Sequence, residues 1–237
     1  MNSSVIKALF HVAFVAFGLF SPATFAAEHR TGAADAANKA LLTYRAELEA
    51  FRAEYGGVRS LPAVTFFQFG MGRRAKYLFK NGTLYEATNG KAYRTWTAVQ
   101  PVIVPCDYSV SFTTAEGGWV RVFEDETAVW IEENGRKKPV AGTRKPVRLP
   151  RFAGHRYGSI LRELHHEILI NVINGKPVPN FLVYRKPWYR DGAMMAMCLK
   201  KTGNIEVIRD WILGLTEVFD RNNAGETEAD NPVRSCT

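Results

Sequence analysis

Cysteine is scarce in this chain. The 237 residues hold three, Cys106, Cys198 and Cys236. Spacings this wide exclude a disulfide framework and a cysteine zinc site, and an odd number allows at most one bridge. Cys198 falls among methionines in a helical pattern and is expected to be a small buried side chain. Long basic blocks are missing too. Runs such as Arg136-Lys137-Lys138 and Lys200-Lys201 are too short for a nucleic-acid arm despite a net charge of +8. No internal repeat is evident, and the five histidines show no metal-ligand spacing. His165 and His166 are adjacent, so on a helix they point about 100° apart. The residues therefore call for no cofactor and no metal.

Apolar runs long enough to span a bilayer are also absent. The most apolar run, Ala8 to Phe20, is short for a membrane helix. It follows Lys7, is broken by Ser21-Pro22, and precedes Thr24-Phe25-Ala26, which has small residues at both positions that direct cleavage. That is the pattern of an export signal over residues 1–26, and the mature protein is expected to be periplasmic or extracellular with no stable membrane span. A basic surface suits such a protein meeting anionic cell-surface polymers.

What is present is a globular composition, 46% hydrophobic and 23% charged. The fold class expected is α+β. Residues 27–57 supply an N-terminal helix over 33–55, whose stripe of Leu41, Tyr44, Leu48, Phe51 and Tyr55 recurs every three or four positions. Residues 58–150 form an antiparallel β-domain of short strands. Asn81-Gly82 and Asn134-Gly135 are strong hairpin signals, and Asn89-Gly90 precedes another strand. Tyr77, Tyr85, Trp96, Trp119 and Trp130 are core candidates with a second possible use as sugar-stacking rings. Lys145 to Pro150 has the composition of a linker.

Residues 151–237 turn helical. Ser159 is a candidate N-cap for a helix whose apolar face holds Ile160, Leu161, Leu164, Ile168, Leu169 and Val172, with Asn174-Gly175 as its stop. The densest chemistry lies at residues 187–204, PWYRDGAMMAMCLKKTGN. Trp188, Tyr189, Arg190 and Asp191 sit where an extended run becomes a helix, and Gly203-Asn204 can end that helix in the left-handed conformation. Read locally, Asp191 is an N-cap. Ile205, Ile208, Ile212 and Leu215, with Trp211 beside them, predict a further helix. An acidic, amide-rich stretch from Asp220 to Asn231 comes after it.

The sequence Trp188-Tyr189-Arg190-Asp191 at a helix start, with small and apolar residues after it, resembles the six-hairpin glycosidases, glucoamylase-like enzymes with an (α/α)6 barrel often preceded by a β-domain. The resemblance spans about residues 155–231. It implies an exported carbohydrate-active protein whose β-domain leads into the first helices of an incomplete six-hairpin barrel. It also implies a carbohydrate partner. Arg190 and Asp191 would hold sugar hydroxyls, the first through a rigid donor fork and the second as acceptor, with Trp188 and Tyr189 as platform. Asn222, Asn223, Glu226, Glu228 and Asp230 form a second tier of sugar-contact candidates. Gly192 departs from the Ser or Ala more frequent in the family.

Glycoside hydrolysis normally needs two separated carboxylates. The later acids, Glu217, Asp220, Glu226, Glu228 and Asp230, crowd into one stretch, so the catalytic pair is expected to be missing and this chain to be inactive. Twelve barrel helices need on the order of 190 residues, far more than follow Gly154. The chain is accordingly expected to be the N-terminal part of a longer protein, with Leu164, Ile168, Met194, Met197, Ile208 and Ile212 short of barrel neighbours. The alternative is a non-enzymatic envelope protein that uses these surfaces for interaction, with Asp191 only a cap.

Overall fold

A computed structural model describes residues 22–56, 64–143 and 145–215. The chain divides into two compact units, and the larger, which starts at Ala37, carries every described strand and every described helix after the first. Helix α1, Pro22–Tyr55, begins earlier than the sequence pattern indicates and ends at Gly56, whose φ of +66° suits glycine. Its stripe does pack on the protein. Tyr44 is buried, with Leu41, Leu48 and Phe51 partly so, against Val104, Cys106, Tyr157 and Ile160. Tyr55, at the end of the helix, is exposed, and its ring lies tilted against Phe51 at 4.7 Å.

The β region forms two antiparallel meanders. Strands β1 (Phe66–Phe69), β2 (Tyr77–Lys80), β3 (Thr83–Glu86) and β4 (Ala92–Thr95) make one sheet in sequential order. Strands β5 (Ala98–Val104), β6 (Ser109–Thr114), β7 (Trp119–Glu124), β8 (Ala128–Glu133) and β9 (Arg136–Gly142) make the other. The Asn-Gly turns at 81–82 and 134–135 have both residues at positive φ, as a tight hairpin requires. Phe79 and Phe112 stack across the sheets at 5.5 Å. Of the five aromatic core candidates, Tyr77 and Trp119 are buried while Tyr85, Trp96 and Trp130 remain partly exposed.

Helix α2, Gly158–Ile170, closes over this layer and buries Leu169 and Ile170 in the same core as Phe79, Val122 and Leu199. Ser159 is not its N-cap. Tyr157 holds that position without a side-chain bond, and the cap is long-range: the Glu47 carboxylate of α1 accepts from the Ser159 N–H and hydroxyl, both at 2.7 Å. The helix stops before Asn174-Gly175, which instead turn a small hairpin between β10 (Val172–Ile173) and β11 (Lys176–Pro177).

Residues 145–150 are not a free linker. Val147 is buried, and Asn204 grips both sides of Arg148, accepting from its N–H at 2.7 Å and donating to its carbonyl at 2.9 Å. Helix α3 is Tyr189–Lys201, and Gly203 (φ +74°) ends it as predicted. The helix expected after it is shorter, a single 3₁₀ turn at Ile205–Val207 and α4 at Arg209–Leu213. The architecture is α+β, an N-terminal helix followed by antiparallel sheets and then short helices. Among the described residues no helix is long and apolar enough to cross a membrane.

Candidate functional site

The loop that leads into α3 is shaped by two asparagines. Asn171 accepts from the Phe181 N–H, and Asn180 folds back to accept from Leu182 and Val183. Phe181 is thereby fixed in the core, and Leu182, Val183 and Tyr184 are turned outward, all exposed. The chain then bends at Lys186, Trp188 is extended (φ −110°, ψ 140°), and α3 begins at Tyr189. Tyr184 and Trp188 meet edge-on at 6.4 Å and Trp188 is half-buried.

Asp191 is therefore not the N-cap. Trp188 occupies that position with no side-chain hydrogen bond, and Asp191 lies inside the first turn. Its Oδ2 is shielded from solvent and makes no hydrogen bond, with Arg190 Nη2 3.9 Å away. The Arg190 side chain is 62% exposed and that of Asp191 33%. Tyr189 does not join an exposed platform: it is buried and packs on Trp211 at 6.3 Å. The helical phase explains this, since Tyr189 and Gly192 lie three apart on the inward face. Trp211 also explains Gly192. A Cβ there would stand 2.3 Å from Trp211 Cη2, so no larger residue fits beneath the ring as placed.

The exposed face of α3 carries Met194 and Met197, and α2 exposes Leu164. Ile168 and Ile212 are partly covered, whereas Ile208 is fully buried, contrary to the expectation that it lacks neighbours. Cys198 is likewise exposed rather than buried, because helical phase sets it on the outer side of α3. Cys106 is the buried thiol, and burial pushes its pKa up to about 11. Asn222, Asn223, Glu226, Glu228 and Asp230, together with Glu217, Asp220 and Cys236, lie outside the described residues, as do residues 1–21 of the export signal expected over 1–26.

The adjacent histidines are both inside. His166 is sandwiched between Phe67 and Tyr108, with ring centroids 5.0 and 5.2 Å apart. His165 Nε2 lies 3.0 Å from Thr202 Oγ1 and 3.2 Å from Asn204 Nδ2. Burial lowers their pKa values, to about 4 at His165 and about 3 at His166, with Lys76 adding to the effect at His166. They are neutral packing groups. Among the described residues no three His, Cys, Asp or Glu side chains gather as a metal site.

A hub that pattern reading missed sits at Gly70 to Lys76. Glu124 of β7 accepts from the N–H groups of Gly70 (2.8 Å) and Met71 (2.6 Å) and from Arg74 Nη1 (2.6 Å). Arg74 also donates to the carbonyls of Asp125 and Glu126, and Lys76 Nζ to those of Gly70 and Gly72. Burial brings the Lys76 pKa down to about 7 against the opposing pull of Glu124. Gly70 (φ +107°) has no room for a Cβ, which would meet the Ala75 carbonyl at 2.2 Å. The Gly72 N–H reaches the Leu169 carbonyl of α2, and Arg73 reaches the Val207 carbonyl and Asp210. The loop thus ties both sheets to the helices. The only signal in the sequence is two glycines around Met71 beside three basic residues, which names no partner.

Two cavities among the described residues are notable. One, of about 540 Å³, lies along the 145–148 segment and includes Arg73, Glu126, Arg148, Asn204 and Glu206. The other, of about 490 Å³, lies against β4 and the β8–β9 hairpin. Compared with known proteins, the chain matches no family model, no curated protein and no solved structure.

Proposed function

We propose that this is an exported carbohydrate-active protein resembling the six-hairpin glycosidases, which engages sugar hydroxyls through Arg190 and Asp191. One observation carries this reading: the pair stands in the first turn of α3 with Arg190 exposed and Asp191 partly so, and the carboxylate is not consumed in capping the helix. A guanidinium and a carboxylate on adjacent residues match vicinal hydroxyls, as donor and acceptor respectively. Trp188, backed by Tyr184, supplies the ring beside them. Tyr189 holds Trp188 and Arg190 in place from the core side rather than meeting the sugar. The later acids crowd into one stretch of sequence, so the proposed role is sugar binding, without turnover by this chain.

Calorimetry against a panel of oligosaccharides tests the assignment. Binding by the parent and its loss in Asp191→Ala are expected; a parent that binds no sugar defeats it. Export is proposed with it, through removal of residues 1–26, and the intact mass of protein recovered from the envelope or medium checks that.

A second reading has its own support. Leu182, Val183, Tyr184, Met194 and Met197 are all exposed near the start of α3 or along it. Exposed apolar groups at such density suit an envelope interaction protein. Concentration-dependent association with no response to any glycan would favour it.

A further inference from the structure

The two most exposed strands of the β region are β4 and β9, each the edge strand of its sheet. They line one cavity of about 490 Å³, with Tyr93 and Arg94 from β4 and Arg136, Lys137, Lys138 and Val140 from β9. Charged edge strands commonly serve to repel an incoming strand. That role is met by cations facing open solvent. Here cations from two separate edges share one concave space, where they repel each other.

The one acid among its lining residues is already engaged. Glu133 accepts from Trp96 Nε1 at 2.6 Å through one oxygen and pairs with Arg94 at 2.7 Å through the other. Lys137 lies over Trp130 at 3.8 Å and 3.6 Å from Asp125. Arg136 and Lys138 form no ion pair among the described residues. The register sets Arg136 opposite Glu133 and Lys138 opposite Ile131, so both stand on the face of the sheet that carries Glu133. Tyr93 is part-exposed and its ring is fixed edge-on against Tyr77 at 5.6 Å.

We propose that the cleft between these two edge strands binds a segment of an acidic polysaccharide, its carboxylate or sulfate groups meeting Arg136 and Lys138 and a sugar ring lying on Tyr93. The carbohydrate class rests on the function proposed above; the acidic character comes from the cleft alone. A cavity of this size suits a short ligand segment. A guanidinium fork fits a carboxylate or sulfate. Nucleic acid fits less well, because strand binding relies on successive stacking rings and Tyr93 is the one aromatic residue in the cleft lining.

Calorimetry on the full chain decides it, with heparin oligosaccharides (sulfated), oligogalacturonate (carboxylated), maltohexaose and oligo-dT as probes. The parent binds at least one acidic glycan, and the preferred probe identifies the acid group. Arg136→Ala with Lys138→Ala weakens that binding by about tenfold or more. Lys200→Ala with Lys201→Ala, which removes the same charge from exposed positions on α3, leaves it within about twofold. The proposal is overturned if the parent binds neither acidic glycan, if both double variants lose affinity alike, or if oligo-dT binds as tightly as the glycans. Asp191→Ala reads the α3 site separately: loss of maltohexaose binding with acidic-glycan binding intact keeps the two sites distinct, and loss of both together overturns the cleft as an independent site.

Discussion

Two arginine–carboxylate pairs in this protein differ in everything except their chemistry. Arg74 and Glu124 are 50 residues apart in sequence, 2.6 Å apart in space and fully enclosed. Arg190 and Asp191 are neighbours in sequence, 3.9 Å apart and partly exposed, although Asp191 Oδ2 itself is shielded. In the first pair both groups also bind backbone, so the charges are held by a cage of N–H and carbonyl dipoles. In the second the carboxylate binds no backbone at its helix start. An ion pair is therefore structural or available according to what else it touches and how dry it is, and proximity in the chain says nothing about which.

The largest effect expected is at the enclosed pair. Glu124→Ala leaves the Arg74 guanidinium buried without its counter-charge and strips the acceptor from the Gly70 and Met71 N–H groups. Breaking one partner of a buried pair costs about 3–5 kcal/mol, a large share of the stability of a typical domain. Urea unfolding measures it. A loss below about 1 kcal/mol would mean that the hub does not hold the sheets to the helices.

Acid sharpens the same contrast. His166 and His165 have folded pKa values of about 3 and about 4 against 6.5 when unfolded. The unfolded chain binds more protons between those values, so the stability is fully present above pH 6.5 and is lost as pH falls through that window. Each histidine contributes a slope of up to about 1.4 kcal/mol per pH unit. Glu163 and Glu167, whose pKa values burial raises, act in the opposite sense and offset part of the loss. Urea midpoints at pH 6 and pH 5 follow the effect. His166→Phe, which can stack between Phe67 and Tyr108, removes one histidine's share; an unchanged slope would refute the assignment.

Gly192→Ala probes how the exposed pair is mounted. The methyl meets Trp211 and overpacking costs about 1–3 kcal/mol, offset by about 0.5–1 kcal/mol of helix propensity. A net loss of about 1–2 kcal/mol is expected in thermal unfolding, with a change in tryptophan fluorescence as Trp211 is displaced. Stabilisation would show that the ring moves aside freely.

Local rules made part of this legible. The Asn-Gly turns, the Gly203 cap and the α1 stripe follow from backbone conformation and helical period, which need no distant partner. What stayed hidden depends on partners far along the chain. Arg136–Gly142 is basic and contains Pro139, so it carries no strand signal alone; pairing with β8 makes it an edge strand, where proline is tolerated. Residues 145–150 have linker composition, yet the Asn204 side chain fixes them. Glu47 capping α2 is invisible for the same reason. At the candidate site the four residues Trp188 to Asp191 were legible as a helix start, but not that Tyr189 turns inward or that the helix begins before Asp191.

That last point yields the smallest stability change and the clearest functional one. Asp191 sits in the first turn of α3, where a negative charge meets the helix dipole, an interaction of about 0.3–1 kcal/mol that salt screens. A capping hydrogen bond would be worth about 0.5–2 kcal/mol and would be less sensitive to salt. Asp191→Ala should therefore lower stability slightly at low ionic strength and by almost nothing in 1 M NaCl, where the Debye length is about 3 Å. Its sugar binding should be lost at both. Urea midpoints and calorimetry on the same samples separate the cases. A salt-independent loss in the capping range with glycan affinity unchanged would make Asp191 a structural residue like Glu124, and the distinction between the two pairs would disappear.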